Sequence, residues 1–291
     1  DTLRLFEVLL DNNRLSGEIP VSFGSLTNLE LLKLNANELV GTVPPGLVKL
    51  PQVAGLIVNS NKLSGKLADV FDSSDYESFT AFRGIDVSDN NFEGTIPSQI
   101  FHFPALQLIT VSKNCFSGKF PDNICANNNL AVIYMDGLGA GNGCRKLLSE
   151  GVNGGEDVHT TNLFHDELPQ CLFNNLSNLV TLHIAGNGID SHLPDINTSR
   201  SILSTIDLSH NMIHSTIPLS YQISKNLIAL DLSYNRLTGT IEQMDNIYNS
   251  SRTIVESLSS TTSSAASLSL NDNRLSGYIP GNVSPVMCTV V

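Results

Sequence analysis

The 291 residues carry 28 Asp or Glu against 16 Lys or Arg, a net charge of -12, and the absence of a compensating basic stripe argues against nucleic acid or anionic lipid as the main partner. No run approaches the roughly 18 apolar residues that cross a bilayer, and Asp1 to Val8 lack a basic segment followed by an apolar one, so no membrane insertion is expected within the chain. Proteins, peptides or glycans are the expected partners.

From the first residues onward one pattern recurs, L-x-x-L-x-L-x-x-N-x-L-x-G-x-I-P, centred on Asn13, Asn37, Asn61, Asn90, Asn114, Asn187, Asn211, Asn235 and Asn273 and mostly spaced by 24 residues. Its fullest copy has Leu29, Leu32 and Leu34 before Asn37, then Leu39, Gly41, Val43 and Pro44 after it. The L-x-L segment alternates apolar and polar like a short strand, and copies from successive turns pair into a parallel sheet. The asparagine follows the strand, where its amide can satisfy backbone groups that would otherwise be buried unpaired. Gly at the fourth position after it permits dihedrals closed to other residues, and Pro at the seventh punctuates the return of the chain. One turn cannot bury its own apolar stripe, so stability comes from stacking, about 4.8 Å per turn.

Five extra residues precede Asn90, around Ser73 to Ser78. Beyond Asn114 the pattern weakens, yet steps of 24 land on Leu138 and Asn162. Leu130, Ile133 and Met135 keep the strand letters of the first of these turns, while the second, with Gly154, Asp157 and His159, keeps little besides Leu168 and Pro169. Here the cysteines Cys115, Cys125, Cys144 and Cys171 gather among Gly-rich loops, and disulfides in an oxidising compartment are expected to replace the lost packing. Four cysteines allow three pairings; the reading leans to Cys125 with Cys144, leaving Cys115 with Cys171, against the alternative of partly unpaired buried thiols. Cys288 stands alone and is expected to pair beyond the end. Sequons at Asn175, Asn197, Asn249 and Asn282 agree with secretion and fall on the convex or lateral surface. Fourteen extra residues before Asn273 bring a Ser/Thr-rich run, Ser257 to Ser269, whose stretch SLSSTTSSAAS is read as a loop.

The texts FEVLLDNNRLSGEIP from Phe6 to Pro20 and ALDLSYNRLTGTI from Ala229 to Ile241 resemble the plant-type leucine-rich-repeat class, and the resemblance covers nearly the whole chain. It implies an α/β solenoid, a right-handed coil with a parallel sheet on its concave face and about 11 repeats, two of them degenerate. One domain is expected over 1–291, with degenerate cysteine-bearing repeats at 129–178 and a Ser/Thr-rich insertion at 242–266. The class includes ectodomains of plant receptor-like kinases and receptor-like proteins, and secreted inhibitors of pectin-degrading enzymes. The segments NCFSGKFPDNIC, MDGLGAGNGCR and LPQCLF are similar to a cysteine-bearing stretch of secreted algal repeat proteins.

No H-E-x-x-H, nucleophile elbow, phosphate-cradling loop or Rossmann fingerprint is present. His210 and His214 straddle Asn211 and suggest no zinc site. Asp86, Asp207 and Asp231, each followed by a serine two residues on, read as repeat letters rather than acid-base pairs, because an open face desolvates little. The chain is therefore expected to be no enzyme, to hold no cofactor or metal, and to be an extracellular or cell-surface recognition scaffold. Its ligand candidates are the outward strand residues Lys33, Tyr134, Asp136 and His183, the two ring residues being apt anchors. Alternatives are a secreted inhibitor of a wall-degrading enzyme and a structural subunit of a glycosylated filament or cell-wall matrix. The filament reading follows from Asp1 and Val291, which lack capping modules, so that either a longer protein continues or end-to-end self-assembly covers the ends.

Overall fold

The computed structural model describes residues 5–72, 76, 79–141, 144, 167–242 and 267–278. Contacts divide the chain into two units, Asp1–His165 and Asp166–Val291. In the first, the strands Glu7–Leu9, Leu31–Lys33, Gly55–Ile57, Gly84–Asp86, Leu108–Thr110 and Val132–Tyr134 pair in parallel in chain order. In the second, Thr181–His183, Thr205–Asp207, Ala229–Asp231 and Ser267–Ser269 do the same. Each strand buries its central residue and leaves its flanking ones partly or fully exposed through most of the series, as a period of two requires. The chain returns from one strand to the next through short helical turns, such as Ser98–His102 and Leu219–Gln222, so the helical share of this solenoid is small.

The repeat asparagine staples two turns at once. Asn114, wholly buried, donates from Nδ2 to Val111 O at 3.1 Å and Ser112 O at 3.2 Å in its own turn and to Val87 O at 3.0 Å in the turn before. Its Oδ1 accepts from Phe92 N, also in the turn before, at 3.0 Å. Asn37, Asn61, Asn90, Asn211, Asn235 and Asn273 repeat this arrangement, and Asn13 makes its own-turn bonds to Leu10 O and Asp11 O. The backbone just before each asparagine is left-handed, at Ala36, Ser60, Asp89, Lys113, His210 and Tyr234 among others, with φ between 53° and 56°.

The glycine four residues later is needed twice over. At Gly239 φ is +86°, and a Cβ there would lie 2.7 Å from Thr216 Cγ2 of the preceding turn. Ser215 takes this position in the Asn211 turn and is held at φ 84°, a conformation that costs a side-chain-bearing residue about 1 kcal/mol. Ser215→Gly is therefore expected to raise stability by about 1 kcal/mol, less the backbone entropy that glycine adds to the unfolded chain. Urea unfolding checks this, and a loss of stability would contradict it.

The extra residues before Asn90 carry Tyr76, which is buried and stacks on Phe103 at 4.5 Å between ring centroids. Phe103 also stacks on Phe82 at 4.2 Å and meets the edge of Phe71 at 6.0 Å, so an apparent irregularity in the repeat supplies the aromatic core of the first unit.

The expected pairing of Cys125 with Cys144 and of Cys115 with Cys171 is corrected: Cys115 is bonded to Cys144, with Cα atoms 5.2 Å apart. After Met135 the chain doubles back, Gly141 N donating to Asn114 O at 2.9 Å and Cys144 N to Gly141 O at 3.0 Å, which lays Cys144 beside Cys115. Cys125 and Cys171 are also disulfide-bonded, so none of these four is a free thiol. Asn249, Asn282, Cys288, the insertion from 243 to 266 and most of the second degenerate turn lie outside the described residues.

Candidate functional site

The side chains flanking the buried strand centres form a surface on each unit. Register aligns Leu9, Lys33, Ile57, Asp86, Thr110 and Tyr134 into one row of the first unit. Beside it runs a row of Leu31, Gly55, Gly84, Leu108 and Val132. Lys33, Tyr134 and Asp136 are all partly exposed. The structure brings Tyr134 and Asp136 together at the end of one strand, where Asp136 N donates to Ser112 Oγ at 2.9 Å, and leaves Lys33 four strand spacings away, about 19 Å. The surface between them mixes Ile57 and Leu108 with Asp86 and Thr110, and glycine stands in place of a side chain at Gly55 and Gly84 of two adjacent strands.

His183 belongs to the second unit, in a row with Asp207, Asp231 and Ser269. Its Nδ1 is 3.9 Å from Asp207 Oδ2. The aspartates close the strand ends: Asp207 Oδ1 accepts from Ser209 N at 3.0 Å, and Asp231 Oδ1 from Ser233 N at 2.9 Å and Ser233 Oγ at 2.6 Å. Asp86 does the same for Ser88 in the first unit. These carboxylates cap turns, as aspartate does when its side chain bonds a backbone N–H two residues on. They adjoin small residues, Thr205, Ala229, Ser209 and Ser233, so this face is shallow as well as acidic.

Two groups with displaced titration lie off the strand faces. Tyr221, in the turn Leu219–Gln222, is pushed up by burial and secondarily by Asp195; Lys49 is raised by its hydrogen bond and ion pair with Asp72, against a smaller opposing effect of burial. Among the described residues no three His, Cys, Asp or Glu are grouped to hold a metal ion, and no helix is long and apolar enough to cross a membrane. His214 does approach Asp190, Nδ1 to Oδ1 at 3.1 Å, and its ring lies 4.3 Å from that of His192.

Sequence reasoning did not single out one exposed feature, the stacked rings of His210 and Tyr234, 4.2 Å apart and 9° from parallel. Its signal was present, since both residues immediately precede a repeat asparagine and are 24 positions apart.

A sequence profile of the Leucine Rich Repeat matches residues 4–26 and 226–244, and no curated protein sequence matches the chain. Among solved structures the fold is similar to the ectodomain of the Arabidopsis receptor kinase HAESA in complex with an N-terminally extended IDA peptide hormone, at 24% identity and a TM-score of 0.71 over 92% of this chain and 38% of that one. It is also similar to the plant peptide hormone receptor RGFR1 in complex with RGF2, at 23% identity and a TM-score of 0.66 over 95% and 41%. A plant ice-binding protein shares 17% identity and a TM-score of 0.55 over 95% and 67%. The chain thus spans about two fifths of the two receptor ectodomains. With its stapling asparagines, parallel strand series and matching repeat profile, the chain is a leucine-rich-repeat solenoid whose fold resembles that of plant receptor ectodomains.

Proposed function

We propose that the chain is a non-catalytic, extracellular recognition scaffold that binds a peptide or protein segment on its strand faces. The observation that carries this reading is the division of labour within each repeat. The leucines, asparagine and glycine are committed to packing and turns, while the outward strand positions stay partly exposed and change chemistry from turn to turn, as in Lys33, Ile57, Asp86, Thr110 and Tyr134. An open, varied, rigidly spaced surface suits an extended ligand, and a partly exposed tyrosine such as Tyr134 is a favourable anchor. The named peptide ligands of the receptor ectodomains with this fold support the same reading, and the disulfides accord with an oxidising compartment.

Of the sequons, Asn175 is exposed and Asn197 is partly buried, with Oδ1 accepting from Ser199 N at 3.2 Å. Both follow the return segments rather than the strands, so glycans there would leave the strand faces clear.

The test is selection of binders from a displayed library of extended peptides, followed by interferometry on variants. Tyr134→Ala, Lys33→Glu and His183→Ala are each introduced, with Lys62→Ala, whose Nζ pairs with Glu38, as the control. At least one strand-face variant is expected to weaken a selected peptide about tenfold, equivalent to 1.4 kcal/mol, while the control leaves it unchanged. Binders insensitive to all three would overturn the strand-face reading.

A further inference from the structure

We propose that the lateral surface of the second unit carries an open site for a divalent transition-metal ion, copper(II) foremost, with the imidazoles of His192 and His214 as ligands and Asp190 orienting His214. The site lies off the strand faces and stands independently of the peptide-binding reading.

The two histidines belong to successive turns. His192 forms a parallel bridge with His214, the first residue of the lateral strand His214–Thr216. His214 N donates to Ser191 O at 3.0 Å, and the hydroxyl of the buried Ser191 donates to His192 O at 2.9 Å. The backbone beneath both rings is thus held by hydrogen bonds, the rigid support that a binding site requires. Above it the rings are accessible: His192 is exposed, and the His214 side chain keeps 43% of its exposure.

The ring separation selects the ion. The ring centres are 4.3 Å apart and the planes are inclined by 57°. A metal about 2.0–2.1 Å from an imidazole nitrogen lies about 3.2 Å from the centre of that ring. Two such rings have centres about 4.5 Å apart at adjacent corners of a square-planar or octahedral ion, and about 5.2 Å apart at a tetrahedral one. The observed separation fits the first geometry, that of copper(II) or nickel(II), and copper is the more tightly bound of the two. The terminal torsion of histidine is broad, so surface rings can turn their nitrogens to one ion while the backbone stays fixed.

A second observation concerns the nitrogen that is left available. Asp190 Oδ1 is 3.1 Å from His214 Nδ1, which favours the tautomer protonated there and leaves the Nε2 lone pair for a metal. A carboxylate behind the ring is the usual outer partner of a metal-ligating histidine and raises its basicity. Among the described residues no three His, Cys, Asp or Glu converge as ligands. Asp190 therefore orients rather than binds, and the ion keeps positions for water or for a donor group of a bound molecule. Arg236, the exposed register partner of His214 on the strand Arg236–Gly239, opposes a cation here. Reading the sequence for local motifs passes over the pair, because the two histidines are 22 positions apart and fit no single-segment metal motif.

The experiment adds substoichiometric copper(II), near neutral pH, to the oxidised chain with 13C-labelled histidine rings, and counts the coordinated nitrogens by electron paramagnetic resonance. The His192 and His214 ring signals are expected to broaden before those of the other histidines, with two imidazoles bound to the ion. His192→Ala and His214→Ala should each weaken copper by more than about tenfold and reduce the count to one imidazole. Asp190→Ala should weaken it about tenfold, and Arg236→Ala should strengthen it about threefold. All four side chains are at least partly exposed, and circular dichroism confirms that each variant is folded. His102→Ala, at another exposed histidine, should leave binding unchanged. Broadening of all histidines together, a single-imidazole spectrum, or unchanged affinity in both histidine variants overturns the site. Unchanged affinity in Asp190→Ala overturns the orienting role.

Discussion

Asn114→Ala is expected to destabilise the first unit by about 4 kcal/mol, because each buried backbone group left without its partner costs about 1–3 kcal/mol. The side chain has no exposure, so water cannot replace it. Its removal orphans Phe92 N and takes a donor from Val87 O, Val111 O and Ser112 O. Because these bonds run to the preceding turn as well as its own, the loss weakens the interface between repeats, on which a solenoid depends. The contrasting variant is Asn59→Ala: that amide is partly exposed and donates to Ser60 Oγ of its own turn at 3.4 Å, so its loss should cost under about 1 kcal/mol. Denaturant unfolding of the oxidised protein measures both. Equal effects at the two positions would mean that the bonds between turns contribute little.

Phe103→Ala should cost a similar amount, about 4 kcal/mol, for a different reason. The ring is fully buried and touches Phe82 and Tyr76 face to face and Phe71 edge-on; truncation loses its transfer energy and leaves a cavity among rigid neighbours. Phe103→Leu keeps much of the volume and should recover more than half of the loss. Near-ultraviolet circular dichroism gives an independent reading, since Tyr76 loses its stacking partner in the alanine variant. If both substitutions cost under about 1 kcal/mol, the aromatic cluster is not the core of the unit.

These two sites differ in how far they could be read in advance. The asparagine column was visible from spacing alone, and its role followed from the need to pair buried backbone groups near the strand end. The aromatic cluster was not, because Tyr76 lies in what looked like an interruption of the repeat and meets Phe103 only through the packing of the return segments. Among the ligand candidates, sequence period placed Lys33, Tyr134, Asp136 and His183 on outward strand positions; in the structure Lys33, Tyr134 and His183 end their strands and Asp136 lies two residues beyond one. The period did not show the bonds that hold these positions, such as the one that Asp136 N donates to Ser112 Oγ of the preceding turn.

By itself the sequence determined the repeat, the parallel strand series, the inward leucines and the adjacency of Asp207 and Asp231, because a fixed period converts chain position directly into spatial position. The tertiary structure decided what falls outside the period. Cys115 joins Cys144 rather than Cys171 because the chain after Met135 turns back onto Asn114, a path that depends on loop geometry and not on spacing. The 24-residue spacing puts His210 and Tyr234 in one column, and the structure adds that their rings stack, 4.2 Å apart and 9° from parallel.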